Sequence, residues 1–512
     1  MCVSTLIRLF TVLLWLLILP SAAQAAPVVT FIVGIVSAIS AFAASSWLAG
    51  AIVRIGIGLG LSALSRALLP QQSRPGGLQT SVTLSGATTP QSFILGRYAT
   101  SGSLVCPPMT HGVSNEYLTY VIALGSLKGQ TLKRFAVNGK WQDLATTSHA
   151  DYGSDVTDTN AGHLWIRFYD GSQIAADPML LAKYAAHPDT PWSSDMVGTS
   201  ICYAVLTVKA NTTLWSGLPT FRFELGGIPL YDPRLDDTAG GIGLMRWGDP
   251  TTWTSSEIPS VMIYNIMRGI SLPSGETWGG DVAAEDLPYA NWAVAMEDCD
   301  EQVPDGSGGT KAQYVAGFEV RVNEPPKAIL EELLKSCAGE MADIGGIWKI
   351  HVGAPSLPTL FLNDDDILVS ETRQLLPFPG LEQTHNGIST THPDPELLWE
   401  ASEAAPLSDP VAVAADGGRN LIANLGLPSV WDGEQVARLQ AAWLKDDRRW
   451  RRHSLSLPPR WVAAEPFDVI SWDSLRNDYL ATQFAVLSVT DNPMTLNQRL
   501  VLREVNPNDW SL

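Results

Sequence analysis

Apolar positions along the chain fall into three regimes. Residues 1–70 are almost continuously apolar, residues 71–235 alternate apolar and polar in short runs, and helical spacing appears after residue 235. In the first regime Arg8 precedes "FTVLLWLLILP" and small residues ending Ala23-Gln24-Ala25. A charged start, an apolar centre and an A-x-A site are the layout of a secretory signal peptide. Val28–Val53 follows without a charged residue, and about 20 apolar residues suffice to cross a bilayer. Its bulky positions include Val28, Phe31, Trp47 and Val53, and its small ones Gly34, Ala41 and Gly50. Small residues let helices approach closely in lipid, and equally let several copies pack round a narrow axis. The pattern predicts a hydrophobic helical N-terminus compatible with either use.

Past the polar linker "QQSRPGG" the period changes to two. "KRFAVNGKW" sets Asn138-Gly139 between extended flanks, a strong hairpin signal. "HLWIRFYDGS" alternates Leu164, Ile166 and Phe168 with Trp165, Arg167 and Tyr169 before an Asp-Gly turn. "ICYAVLTVKA" and "TFRFEL" add further strands. This stretch is expected to be β-rich with one polar side, as a barrel or sandwich. It stops abruptly at Tyr231-Asp232-Pro233-Arg234.

Helices are expected next, at "SVMIYNIMRGI", "LPYANWAVAMEDCDE" and "PPKAILEELLKSCAGE". In the last, Pro326 suits a first turn, Ile329, Leu330, Leu333, Leu334 and Cys337 share a face, and Gly339 ends it. "DGEQVARLQAAWLKDDRRW" starts at an Asp432 cap and lines up Val436, Leu439 and Trp443. "HSLSLP", "PFDVISWD", "FAVLSVTD" and "QRLVLREV" read as closing strands. The expected class is α+β, predominantly β. Its parts are the hydrophobic segments 1–70, a β-rich domain 71–235, an inserted helical α/β domain 236–360 and a second α/β domain 361–512.

Charge and chemistry narrow the function. A net charge of -19 argues against a nucleic-acid binder, which needs basic surface to replace phosphate counterions. The five cysteines (Cys2, Cys106, Cys202, Cys299, Cys337) form no Cys-x-x-Cys or Cys/His spacing, so buried reduced thiols are expected. No nucleophile elbow, zinc-protease helix, phosphate loop or dinucleotide fingerprint is present in the sequence. "LNDDDIL" (Asp364–Asp366) lacks the glycine and distal glutamate of a calcium loop and reads as a solvated turn. His187 and His392 precede prolines and read as exposed loop residues. The one basic cluster, Arg448, Arg449, Arg451 and Arg452, sits where it would complement a helix C-terminus. No enzyme, cofactor or metal site is expected.

Several stretches, taken in order, carry a resemblance: "ALSRALLPQ", "TPQSFILGRYATSGSLV", "NEYLTYVIALGSL", "FELGGIPLYDPR", "YANWAVAMEDCDEQV", "GFEVRVNEPPKAILEELLKSCAGEMADIGGIWKIHVG", "WDGEQVARLQAAWLKDDRR" and "LREVNPNDW". Together, over Ala63–Trp510, they resemble the tail-tip hub proteins of long-tailed phages and prophages. That family includes the tip attachment (host-specificity) protein of phage lambda. The resemblance implies a homotrimeric ring that closes the tail tube at the virion's tail tip, is assembled in the host cytoplasm, and takes part in attachment and DNA ejection. It implies β-barrel domains continuing the tube, and docking to distal tail, tail-tip and tape-measure proteins. DNA would pass without specific binding. In that light Tyr231-Asp232-Pro233-Arg234 is a structural exit from a hub strand, where Pro233 breaks the ladder and Arg234 can pin the turn to an acid. The arginine cluster would face a neighbouring subunit, and Val28–Val53 would plug the tip or enter the host envelope membrane. The chain stops where longer members continue into receptor-binding modules, so a separate fibre protein is expected to recognise the host. Two other classes fit parts of the sequence: a secreted or membrane-anchored bacterial envelope binding protein, and a tip-associated glycan hydrolase.

Overall fold

The computed structural model of the chain describes residues 53–55, 84–85, 90–215, 217–380 and 383–510. The expected plug positions Val28, Phe31, Gly34, Ala41, Trp47 and Gly50 lie outside the described residues. Val53 opens a short strand, Val53–Ile55, paired antiparallel with Ser488–Thr490. The chain divides into two compact units, Met1–Ile52 with Asn492–Leu496, and Val53–Asp491 with Asn497–Leu512. Of the first, the described part is the turn Asn492–Leu496, where Asn492 Oδ1 accepts from the Met494 amide at 3.0 Å. The second unit holds the described sheets and helices.

The first half of this second unit is two sheets packed face to face. One is eight-stranded and centred on Tyr117–Gly125, Cys202–Lys209 and Leu164–Asp170. The other runs Gly317–Arg321, Ser92–Thr100, Phe221–Gly226, Thr131–Val137 and Lys140–Gln142. Because strand side chains alternate faces, Cys202, Ala204, Leu206 and Val208 point inward to meet Phe135, Phe221 and Phe223. Tyr203 and Val205 point outward, yet they too are buried, under the helix Pro178–Tyr184. The expected polar side is therefore largely a second apolar layer, with Trp165 and Tyr203 in it. Asn138 and Gly139 turn the Thr131–Val137/Lys140–Gln142 hairpin with φ of 46° and 82°, as a type I′ turn requires.

Four helices, Pro259–Arg268, Tyr289–Asp300, Pro326–Ser336 and Gly433–Asp447, surround a second core. That core unites Ile228–Val352 side chains with Ile388, Leu425, Val436 and Trp443. The expected boundaries after 235 and 360 are thus bridged by continuous packing. Gly317–Arg321 also crosses back to pair with Ser92–Thr100. Gly317 has to be glycine, since a Cβ there would stand 1.7 Å from the Arg97 carbonyl oxygen.

The last sheet orders Leu360–Asn363, Val469–Ser474, Tyr479–Asp491, Gln498–Glu504, Arg452–Leu457 and Gln374–Leu376 around Trp472 and Phe484. Its first and last strands are different edges, so among the described residues it stays open. The barrels expected from the resemblance are open sheets here. The described protein is predominantly β, with several sheets and few helices. No described helix is long and apolar enough to cross a membrane.

Candidate functional site

Polar side chains concentrate at three junctions between these parts. At the first, Glu224 leaves the strand Phe221–Gly226 with only 1% of its side chain exposed. Arg97 Nε donates to Oε1 at 2.7 Å, Arg134 Nε to Oε2 at 2.7 Å, and Trp399 Nε1 to Oε2 at 2.9 Å. Burial pushes the carboxyl up, but the hydrogen bonds from Trp399 and Arg134 and the charge of Arg97 outweigh it and hold it below the usual range. The arginines stack on indoles, Arg97 at 4.7 Å from the Trp431 centroid and Arg134 at 4.0 Å from that of Trp141. Arg134 Nη2 and Trp141 Nε1 both donate to the Pro395 carbonyl, at 3.1 and 3.2 Å. These bonds hold the segment Pro395–Trp399 against the sandwich. Trp399 enters the sandwich core fully buried, on a backbone left-handed at Leu398 and Trp399, with φ of 59° and 63°. Glu224 and Trp399 are invisible as partners in the sequence, since a separation of 175 residues leaves no local signal.

The second junction is Tyr231-Asp232-Pro233-Arg234. Asp232 caps the 3-10 turn Pro233–Leu235 by accepting from the Arg234 amide at 2.9 Å. Arg234 Nη2 returns to Asp232 Oδ2 at 2.7 Å, and Nη1 reaches Asp300 Oδ2 at 3.3 Å and the Met296 carbonyl at 3.2 Å. Tyr231 OH donates to Asp236 Oδ2 at 2.7 Å, and Asn265 exchanges hydrogen bonds with the Tyr231 backbone at 3.0 and 2.7 Å. The turn thus clamps the end of the sandwich to the helices Pro259–Arg268 and Tyr289–Asp300.

The third junction gathers the arginine cluster. Arg448 binds Asp416 at 2.9 Å and the His385 carbonyl at 3.0 Å. Arg449 holds Asp509 through two bonds of 2.7 Å, and Arg451 reaches Glu504 at 3.5 Å. Burial and the nearby Arg503 lower the Arg452 guanidinium from its ordinary value. Arg503 itself is paired with Asp446 and lies 3.9 Å from Glu340. A cavity of about 100 Å³ opens beside this group, lined among others by Glu340, His351, Trp443, Asp446, Arg503 and Trp510. Burial first, then Arg503, pushes the His351 imidazole down to about 4.

The remaining candidates are structural. Asp364–Asp366 form a 3-10 turn capped by Asn363, with Asp364 bonded to Ser474 Oγ at 2.6 Å and Asp366 paired with Arg460. His187 Nδ1 accepts from the Thr190 amide at 3.1 Å. His392 is not an exposed loop residue: it is buried in the strand Gly387–Asp394, because its side chain faces inward between paired neighbours. Among the described residues no group of three or more metal-ligating side chains comes together. All three junctions do one chemical job: paired charges and indole donors fix one element against another.

Residues 325–480 match the family described as "Putative phage tail protein". No curated protein matches. Among solved structures, a chain of the virion of a native gene transfer agent (GTA) particle is 15% identical, with 96% of this chain and 98% of that one covered and a TM-score of 0.54. A tail protein from Neisseria meningitidis MC58 is 8% identical over 83% of this chain and 98% of that one, with a TM-score of 0.30. The 43 kDa tail protein of prophage MuSo2 from Shewanella oneidensis is 9% identical over 84% and 99%, also at 0.30. Residues 325–480 are therefore similar to a phage tail protein family, and the chain shares its fold with a chain of a gene transfer agent virion.

Proposed function

We propose that the chain is a structural tail protein of a phage-type particle, and that three copies form the hub closing the tail tube at its tip. The observation that carries this reading is the shared fold over 96% of the chain with a virion protein, together with the phage tail segment at 325–480. The three charged junctions support it, since a part that bears load during ejection needs its domains locked to one another. A closed ring follows when heterologous contacts return on themselves. Arg451, with 47% of its side chain exposed, keeps the most freedom in its cluster to reach a neighbouring copy.

In this reading the hub docks distal tail, tail-tip and tape-measure proteins and a separate fibre protein, and a net charge of -19 lets DNA pass without binding. Residues 1–70 either plug the tip or enter the host envelope membrane on ejection. Purified particles labelled with antibody against residues 90–510 test the placement. Label confined to the tail end distal to the head is expected. Label on the bacterial envelope, with none on particles, would assign the chain to the envelope instead. Edman sequencing of the particle-borne protein tests the N-terminus: a start at Met1 is expected, and a start at Ala26 would mean a cleaved signal peptide.

A further inference from the structure

The cavity of about 100 Å³ beside the arginine cluster collects hydrogen-bond donors that the fold leaves without acceptors. Trp443 and Asp446 reach it from the helix Gly433–Asp447, where their spacing puts them on one face. Arg503 comes from the strand Gln498–Glu504, and Trp510 follows the 3-10 turn Pro507–Asp509. Arg449 holds that turn in place through Asp509 at 2.7 Å. Glu340 and His351 stand opposite each other in the hairpin Glu340–Ile344/Ile347–His351.

Three N–H groups of residues lining this cavity have no partner among the described residues: Trp443 Nε1, Trp510 Nε1 and Arg503 Nε. All three nitrogens are buried, and Trp443 as a whole is only 6% exposed. A buried donor without an acceptor is destabilising, and a ligand oxygen would relieve that. Arg503 uses its terminal nitrogens elsewhere, Nη1 on Asp446 and Nη2 at 3.9 Å from Glu340, which leaves Nε.

Charge and shape select the ligand. Two carboxylates, Glu340 and Asp446, meet the guanidinium of Arg503 here. Lys335 also lines the cavity, but Glu332 neutralises it at 2.8 Å. His351, pushed down to about 4, is uncharged near neutral pH. A further anion would therefore meet net negative charge at short range. Glu340 adds an acceptor, since 3.9 Å is too long for a hydrogen bond to Arg503. Leu425, Leu439 and Val486 supply apolar wall. The volume is well above the roughly 10–15 Å³ that one water needs.

We propose that this cavity binds a small uncharged primary carboxamide with a short apolar tail. Its carbonyl oxygen accepts from the unpartnered N–H groups of Trp443, Trp510 and Arg503, its NH2 donates to Glu340, and its tail packs on Leu425, Leu439 and Val486. An ester or ketone of the same size would satisfy the donors but not Glu340, and a carboxylate would bring the wrong charge.

The probe is isobutyramide, read by saturation-transfer NMR on the purified full-length protein, with isobutyrate as its charged analogue of the same shape. Binding in the millimolar range is expected for an amide this small, with isobutyrate weaker by about tenfold or more. Trp443→Phe and Trp510→Phe each keep an aromatic ring and remove one N–H. Each should weaken isobutyramide binding by about tenfold, the effect of one lost hydrogen bond. If one variant does not fold, the other and the comparison of the two probes on the wild type decide. No saturation transfer to isobutyramide at millimolar concentration, equal binding of isobutyrate, or undiminished binding to the folded variants would each overturn the proposal.

Discussion

At the residue scale, Glu224 and Trp399 carry the sharpest consequences. Replacing Glu224 by Gln leaves Arg97 and Arg134 facing a neutral amide. Breaking a buried ion pair from one side costs about 3–5 kcal/mol. The low end, about 3 kcal/mol, is expected, because the arginine side chains keep 28% and 26% exposure. Trp399→Ala should cost about 3–5 kcal/mol by emptying a site in the sandwich core. Chemical denaturation of both variants measures this, and a loss below about 1 kcal/mol in each would show that the junction does not hold the segment.

His453 gives a pH prediction. It is buried among Trp472, Tyr479 and Phe484, shares a hydrogen bond with Tyr479 OH at 2.9 Å, and is pushed down to about 4 by burial, then by Arg373 and Arg451. The unfolded chain titrates it near about 6.5, so between these values the unfolded state binds more protons. Its contribution is therefore intact above about pH 6.5 and is lost as pH falls towards about 4. About 2 kcal/mol should be gone by pH 5. Comparing unfolding at pH 7 and pH 5 with that of His453→Leu checks it: the variant should lose correspondingly less.

At the element scale, the sequence was most readable where a local rule decides. Pro326 does open a helix, Asp432 does cap one by accepting from the Glu434 amide at 3.0 Å, and Asn138-Gly139 does turn a hairpin. Burial set by distant chain was not readable. Trp165 and Tyr203 sit on a face that alternation alone marks as outward, and only the helix Pro178–Tyr184 makes it interior. Its proline neighbour marks His392 as a loop residue, but Pro393 is tolerated inside the strand Gly387–Asp394. Nothing in "FELGG" announced that Glu224 would be a hub of contacts.

Gly317 tests the crossing between the two cores. Gly317→Ala drives a Cβ onto the Arg97 backbone, which cannot move without breaking the paired strands, so about 3 kcal/mol or more should be lost. Gly433→Ala is the control: it opens a helix and meets nothing within 4 Å, so it should be neutral or slightly stabilising. Equal stability of the two variants would contradict the crossing.

At the scale of the whole molecule, an ordered series of weak sequence matches was the only functional signal. No single motif carries it. With a net charge of -19, the folded part should show no tight, salt-sensitive binding to duplex DNA; electrophoretic mobility shift at low and moderate salt would reveal it. The most direct measurement is the number of copies per tail, obtained by mass analysis or symmetry-free reconstruction of purified tails. Three copies arranged as one ring round the tube at the tip are predicted. A single copy, an even-numbered ring, or tails that lack the chain would contradict the hub.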